Sequence, residues 1–177
     1  MNLNRVLFLV RFIFKCLRRN IRTNGFVKLQ HNVSIIVEPS GQLTFGKNSV
    51  LKHDSVIYVK AGADLVIGDN FSIGHHAEIS VGKSIQIGDD VIMAPYTYIT
   101  DSNHSYTDVN TVIRKQGMNH IPVKVGSNIW MGRSSMILPG ADIKSNSVVA
   151  AGAIVTSQIE FDNVVLAGVP AKVIKRL

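Results

Sequence analysis

Cysteine is almost absent from this 177-residue chain. Only Cys16 is present, so no intramolecular disulfide forms and no cysteine cluster holds a metal. That usage fits a reducing compartment. Aromatic residues make up 7% of the chain. With so few rings to stack bases and no basic stripe on the body, nucleic-acid binding is not expected. Acidic residues are missing from positions 1–28, which carry Arg5, Arg11, Lys15, Arg18, Arg19, Arg22 and Lys28. Those seven leave twelve of the nineteen Lys and Arg for the rest of the chain, matching its twelve acids. The formal charge of +7 therefore belongs to an N-terminal arm, and the body is balanced.

Long hydrophobic runs are also lacking. Residues 6–17, VLFLVRFIFKCL, are interrupted by Arg11 and fall short of the roughly 20 residues that span a bilayer. No small-residue cleavage site follows, which argues against a secretory signal. A Gly-x-Ser-x-Gly elbow for a serine nucleophile is absent. Gly82-Lys83-Ser84 has the end of a phosphate-binding loop, but Ala77 stands where its first glycine belongs.

What the chain does have is a rhythm of six. From Val125 it reads VGSNIW, MGRSSM, ILPGAD, IKSNSV, VAAGAI, VTSQIE, each block opening on an aliphatic residue. Helices repeat near 3.6 and strands at 2, so neither produces this period. A hexad repeat signifies a parallel β-helix, whose coils stack like residue on like residue. The same rhythm runs through Phe45, Leu51 and Ile57, then Ile67, Ile73 and Ile79, then Ile87, Met93 and Ile99. Three hexads make one triangular coil. Hydrophobic residues at 46% suit a single packed domain of this kind. The fold class expected is all-β, with an arm over 1–25 and a β-helix domain over 26–177 ending in a tail at 161–177.

In the arm, Arg11, Lys15, Arg18 and Arg22 fall on one face of a helix, and Leu7, Val10, Phe14 and Leu17 on another. Such an N-terminal amphipathic helix would lie on anionic lipid or cap the first coil, and both readings stay open. In the body, Gly68, Gly74, Gly88, Gly126 and Gly132 follow the aliphatic position and read as corner residues. Asp69-Asn70, Asp89-Asp90 and Ser127-Asn128 read as turns, not as paired catalytic carboxylates.

The rhythm breaks once on a large scale, over the loop 101–123. A long polar excursion from a regular scaffold is where function concentrates. His104 stands near its start, close to Asp101, and histidine is the side chain suited to general-base work near neutral pH. His31, His53, His75, His76 and His120 show no metal-ligand spacing, so no metal is expected.

The repeats, Asp101-Ser102-Asn103-His104, Asn128-Ile129-Trp130-Met131-Gly132, Leu138-Pro139-Gly140 and Ala167-Gly168-Val169-Pro170-Ala171-Lys172-Val173-Ile174 occur together in one order. In this the chain resembles the hexapeptide-repeat acyltransferases. It is nearest to the galactoside and maltose O-acetyltransferases and the O-acetyltransferases of bacterial surface polysaccharides. The resemblance implies a left-handed β-helix, a homotrimer with active sites between subunits, and acetyl-CoA as co-substrate. It implies His104 as catalytic base. It places Arg133 and Ala151 along the pantetheine arm of CoA, and Thr156, Lys172 and Lys175 toward its nucleotide end. For the acceptor it directs attention to Asp101, Asn103 and His76. This chain departs from the pattern at Arg133, where relatives often carry a small residue, and at Ser157, where they carry Lys. It also has no proline over 159–163.

The function expected is O-acetylation of a sugar hydroxyl in lipopolysaccharide, O-antigen or capsule assembly. The acceptor would be a sugar or polysaccharide precursor. The protein would be cytoplasmic, peripheral on the inner face of the bacterial cytoplasmic membrane. N-acylation of an amino sugar, free or nucleotide-linked, is the alternative within the enzymes. A catalytically inactive β-helix scaffold is the alternative outside them.

Overall fold

The computed structural model describes residues 20–177. The amphipathic helix expected over 1–25 lies outside those residues up to position 19, and beyond it the expectation fails, because Arg22 stands on the strand Ile21–Thr23 and not on a helix. The described chain is a parallel β-solenoid of six coils, each giving one short strand to each of three sheets. The first sheet stacks Ile21–Thr23, Gln42–Phe45, Asp64–Ile67, Ser84–Ile87, Val123–Val125 and Asp142–Ile143. The second stacks Val27–Leu29, Ser49–Leu51, Ser72–Ile73, Val91–Met93, Ile129–Met131 and Ser147–Val149. The third stacks Ser34–Val37, Val56–Val59, Glu78–Val81, Tyr98–Thr100, Met136–Ile137 and Ile154–Val155. Val164–Gly168 adds a further strand to the second sheet, and Ala171–Arg176 folds back antiparallel on it. Helix is nearly absent from the described residues, apart from a 3-10 turn at Ile113–Lys115.

The hexad residues stack in register, as the repeat requires. Phe45, Ile67, Ile87, Val125 and Ile143 are direct partners along the first sheet. Leu51, Ile73, Met93, Met131 and Val149 follow on the second. Ile57, Ile79, Ile99, Ile137 and Val155 complete the third. All are buried and belong to one continuous core, which excludes water along the solenoid axis.

A further coil precedes the five read from the sequence. Thr23 pairs with Phe45, Leu29 with Leu51 and Ile35 with Ile57, so the rhythm begins at residue 23 and the first strand at Ile21. Thr23 in the aliphatic position, followed by Asn24-Gly25, masks this coil as a turn.

The corners behave as expected. A Cβ on Gly68 would lie 2.6 Å from the backbone carbon of Gly88, so stacked coils approach too closely there for a side chain. Asn70, Asp90, Asn128 and Asn146 adopt positive φ of 54–57°, a conformation that Asn and Asp tolerate better than other side chains. Asp69 accepts the Lys47 N–H at 2.7 Å, and Asp89 accepts the Asp69 N–H at 2.7 Å. These carboxylates cap neighbouring coils, which is a structural use.

Candidate active site

The break in the rhythm is an ordered β-ribbon. Ser102–His104 pairs antiparallel with Met118–His120, and the segment projects from the corner joining the third sheet to the first. Its base is locked by Asp101, which is fully buried. The carboxylate accepts the backbone N–H groups of Gly82, Lys83 and Ser84 at 2.7, 2.8 and 2.7 Å, and the Ser102 hydroxyl at 2.7 Å. Ser102 Oγ also lies 2.8 Å from His120 Nδ1. With the hydroxyl proton directed at Asp101, His120 Nδ1–H is the donor, which leaves Nε2 as its basic nitrogen. Gly82 permits this packing, because a Cβ there would sit 2.2 Å from both His120 Nδ1 and Ser102 Oγ.

Register then places His104. In an antiparallel pair, alternate residues share a face. Ser102, His104, Met118 and His120 therefore share one face of the ribbon, and Asn103 and Asn119 take the other. His104 and Asn103 are exposed. An exposed imidazole on an anchored two-stranded ribbon is held by backbone pairing yet open to a ligand. Asp101 differs: its oxygens are engaged within the chain, so its work here is to fix the ribbon.

The remaining expected site residues fall elsewhere. His76, Arg133 and Ala151 lie on the corner between the second and third sheets, one edge away from the ribbon. There His76 stacks on Tyr96 with ring centroids 5.0 Å apart, and the Arg133 guanidinium lies 4.6 Å from the Tyr96 centroid. This π contact fixes the arginine over the tyrosine face. Next to Ala151, the Gly152 position has nothing within 4 Å of a Cβ, so the corner is open. Thr156 is exposed at the corner following the last strand of the third sheet. Lys172 and Lys175 are exposed on Ala171–Arg176, a strand further pinned by Arg176 lying 4.4 Å over the Phe161 ring. A groove on the outer face of the first sheet, lined by Gln86, Lys124, Asp142 and Lys144, contains none of these residues.

One corner gathers residues to which the sequence gave no role. His31, His53 and His75 stack with centroids 4.9 Å apart at each step. Asp54 sits against them, with Oδ2 2.8 Å from His53 Nδ1 and 4.0 Å from His76 Nε2. The His53 and Asn32 side-chain hydrogen bonds hold the Asp54 carboxyl below the usual carboxylate range. Partial burial, with His53, His76, Arg133 and Lys52 nearby, pushes His75 down and favours its neutral form. The signal was an equal spacing of 22 residues, which matches the length of the early coils.

Comparison with known proteins adds a second line. Residues 122–157 match the family described as the hexapeptide repeat of succinyl-transferase. The chain is 36% identical over 135 residues to galactoside O-acetyltransferase of Escherichia coli K12, covering 76% of this chain and 64% of that one. It is 28% identical to an E. coli K12 protein named for lipopolysaccharide-biosynthesis O-acetyl transfer, covering 79% of this chain and 74% of the relative. A solved galactoside acetyltransferase in complex with coenzyme A matches at TM-score 0.62 and 27% identity, over 94% of this chain and 70% of that one. The chain spans 54% to 64% of the length of three curated relatives, the first galactoside enzyme among them.

Proposed function

The chain belongs to the hexapeptide-repeat acyltransferases, and from that premise we propose that it transfers an acetyl group from acetyl-CoA to a sugar hydroxyl. The observation that carries this reading is the placement of His104, exposed on a ribbon whose base is locked by buried Asp101. In the reaction, His104 Nε2 takes the hydroxyl proton as the acceptor oxygen bonds to the thioester carbonyl carbon. The tetrahedral intermediate collapses with cleavage of the C–S bond. The imidazolium returns its proton to the departing thiolate. No covalent acyl-enzyme is required. Asn103, on the opposite ribbon face, and His76 are assigned to the acceptor, with Asp101 acting through the ribbon.

The described residues fit coenzyme A. Arg133, Lys172 and Lys175 are exposed cations for its phosphates. Ala151 and the open Gly152 position leave a corner with little side-chain bulk for a pantetheine arm. Thr156 is assigned to the nucleotide end.

His104 and Arg133 occupy different corners of one solenoid. That separation supports a site shared between neighbouring subunits, in a homotrimer of left-handed β-helices. The similarity to a protein named for lipopolysaccharide-biosynthesis O-acetyl transfer supports a surface-polysaccharide precursor as acceptor. The basic, apolar arm supports peripheral attachment at an anionic cytoplasmic membrane face. No helix among the described residues is long and apolar enough to cross a membrane.

A panel of sugars and amino sugars tests the reading, with release of the CoA thiol and the mass of the acetylated product as readouts. Ester formation on a neutral sugar is the expected result. Amide formation alone would assign the chain to N-acylation, and no turnover with any acceptor, together with no acetyl-CoA binding, would favour a scaffold.

A further inference from the structure

His31 stands far from the adjacent pair His53-Asp54 in the sequence, yet the coils bring all three to one corner. Each offers a ligand atom within 4.8 Å of the other two. We propose that this corner binds a divalent transition-metal ion, of the zinc class, through His31, His53 and the Asp54 carboxylate, and that the ion clips the first coil to the second.

The chemistry of the donors supports this choice. Imidazole nitrogens with one carboxylate suit zinc, nickel or copper, whereas calcium and magnesium require oxygen cages. His53 Nδ1 is 2.8 Å from Asp54 Oδ2. With its proton displaced, Nδ1 and the adjoining carboxylate oxygen present two neighbouring lone pairs to one ion. His76 Nε2 lies 4.0 Å from the same oxygen and adds a nitrogen donor close by.

Geometry sets what must move. Stacked rings 4.9 Å apart follow the strand spacing of the solenoid. Zinc–nitrogen bonds of about 2.0–2.1 Å call for donor atoms roughly 3.3 Å apart in a tetrahedral site. His31 is exposed and the side chains of His53 and Asp54 are 35% and 31% exposed, so rotation about their own bonds can close the difference without moving the core. His31 comes from the first coil and His53 from the second. An ion shared between them therefore joins coils whose other links are hydrogen bonds and packing.

The test uses the full chain without a polyhistidine tag, stripped with chelator and dialysed. Titration with zinc chloride by calorimetry should show one ion per chain with micromolar or tighter affinity. The thermal midpoint should rise with zinc. The double variant His31→Gln/His53→Gln should lose at least tenfold in affinity and the midpoint shift. Asp54→Asn should weaken binding too. On the unaltered protein, cobalt(II) should give visible ligand-field bands of a nitrogen-coordinated site, which avoids dependence on any variant folding. Absence of stoichiometric zinc binding, or binding and midpoint shift unchanged in the double variant, would overturn the proposal. Because zinc binding and cobalt spectra require no acetyl transfer, these outcomes are independent of the acyltransferase reading.

Discussion

Asp101 accepts the backbone N–H of Gly82 at 2.7 Å, tying the start of the ribbon to a corner 19 positions earlier in the chain. Two further backbone donors and the Ser102 hydroxyl converge on the same carboxylate. Removing it takes a fully buried acceptor from part-buried donors, and hydrogen bonds to a charged group contribute about 1.5–3 kcal/mol each. Asp101→Ala should lower the unfolding free energy by about 3 kcal/mol or more. Urea denaturation measures this, and a change within about 0.5 kcal/mol, the range of ordinary surface substitutions, would contradict it.

Two neighbouring glycines should respond for different reasons. A Cβ on Gly132 would lie 2.5 Å from the Ala151 backbone nitrogen. Gly132→Ala must therefore push apart two coils at the corner assigned to CoA, at about 1–3 kcal/mol, the range for overpacking. Gly152 faces open space but has a φ of +69°, so Gly152→Ala should cost roughly 1 kcal/mol through backbone strain alone. Calorimetric acetyl-CoA binding should weaken more for Gly132→Ala than the stability loss accounts for. Equal binding in both variants would separate this corner from CoA.

The difference between those glycines shows what the sequence made legible. The hexads declared the solenoid, because each aliphatic position pairs with its counterpart on the next coil, from Phe45 to Ile67 to Ile87. Thr23 hid the first coil by standing where an aliphatic residue was expected. The histidine corner was hidden for another reason. Equivalent corner residues are separated by 22, 20, 38 and 18 positions at successive steps. His31, His53 and His75 share the 22-residue spacing of the first coils, but Arg133 cannot be aligned with them without knowing which corners hold the extra residues. His104 was visible because a polar excursion stands out, whereas the bridge from Asp101 through Ser102 to His120 depends on ribbon register.

Acid should destabilise the protein through His75. Its pKa is lowered from 6.5, mainly by burial, so below that value the unfolded chain binds the proton more readily than the folded one. Stability then rises with pH across the window from the lowered folded value up to 6.5. As pH falls from neutral, the contribution is lost progressively until the folded group also protonates. Thermal midpoints measured from pH 7.5 downward should fall less steeply for His75→Gln than for the unaltered protein. Identical slopes would remove His75 as the cause.

The basic arm yields a prediction at the membrane. Deleting residues 1–19 removes five of its seven cations and leaves the first strand, Ile21–Thr23, intact. In a sedimentation assay, the full chain should pellet with vesicles rich in anionic lipid and be released by salt. The truncated chain should stay in the supernatant. Equal sedimentation of the two would locate any membrane affinity elsewhere.

The most direct test of the acetyl-transfer account is the turnover of His104→Ala, assayed by CoA release with an acceptor that the unaltered protein acetylates. Loss of the general base should lower kcat by about 10²–10⁴-fold. Acetyl-CoA affinity should change little, because His104 is assigned to the acceptor proton and the cofactor contacts are assigned to Arg133, Ala151, Thr156, Lys172 and Lys175. A variant that keeps kcat within a few-fold of the unaltered protein would contradict the assignment of His104 as the base.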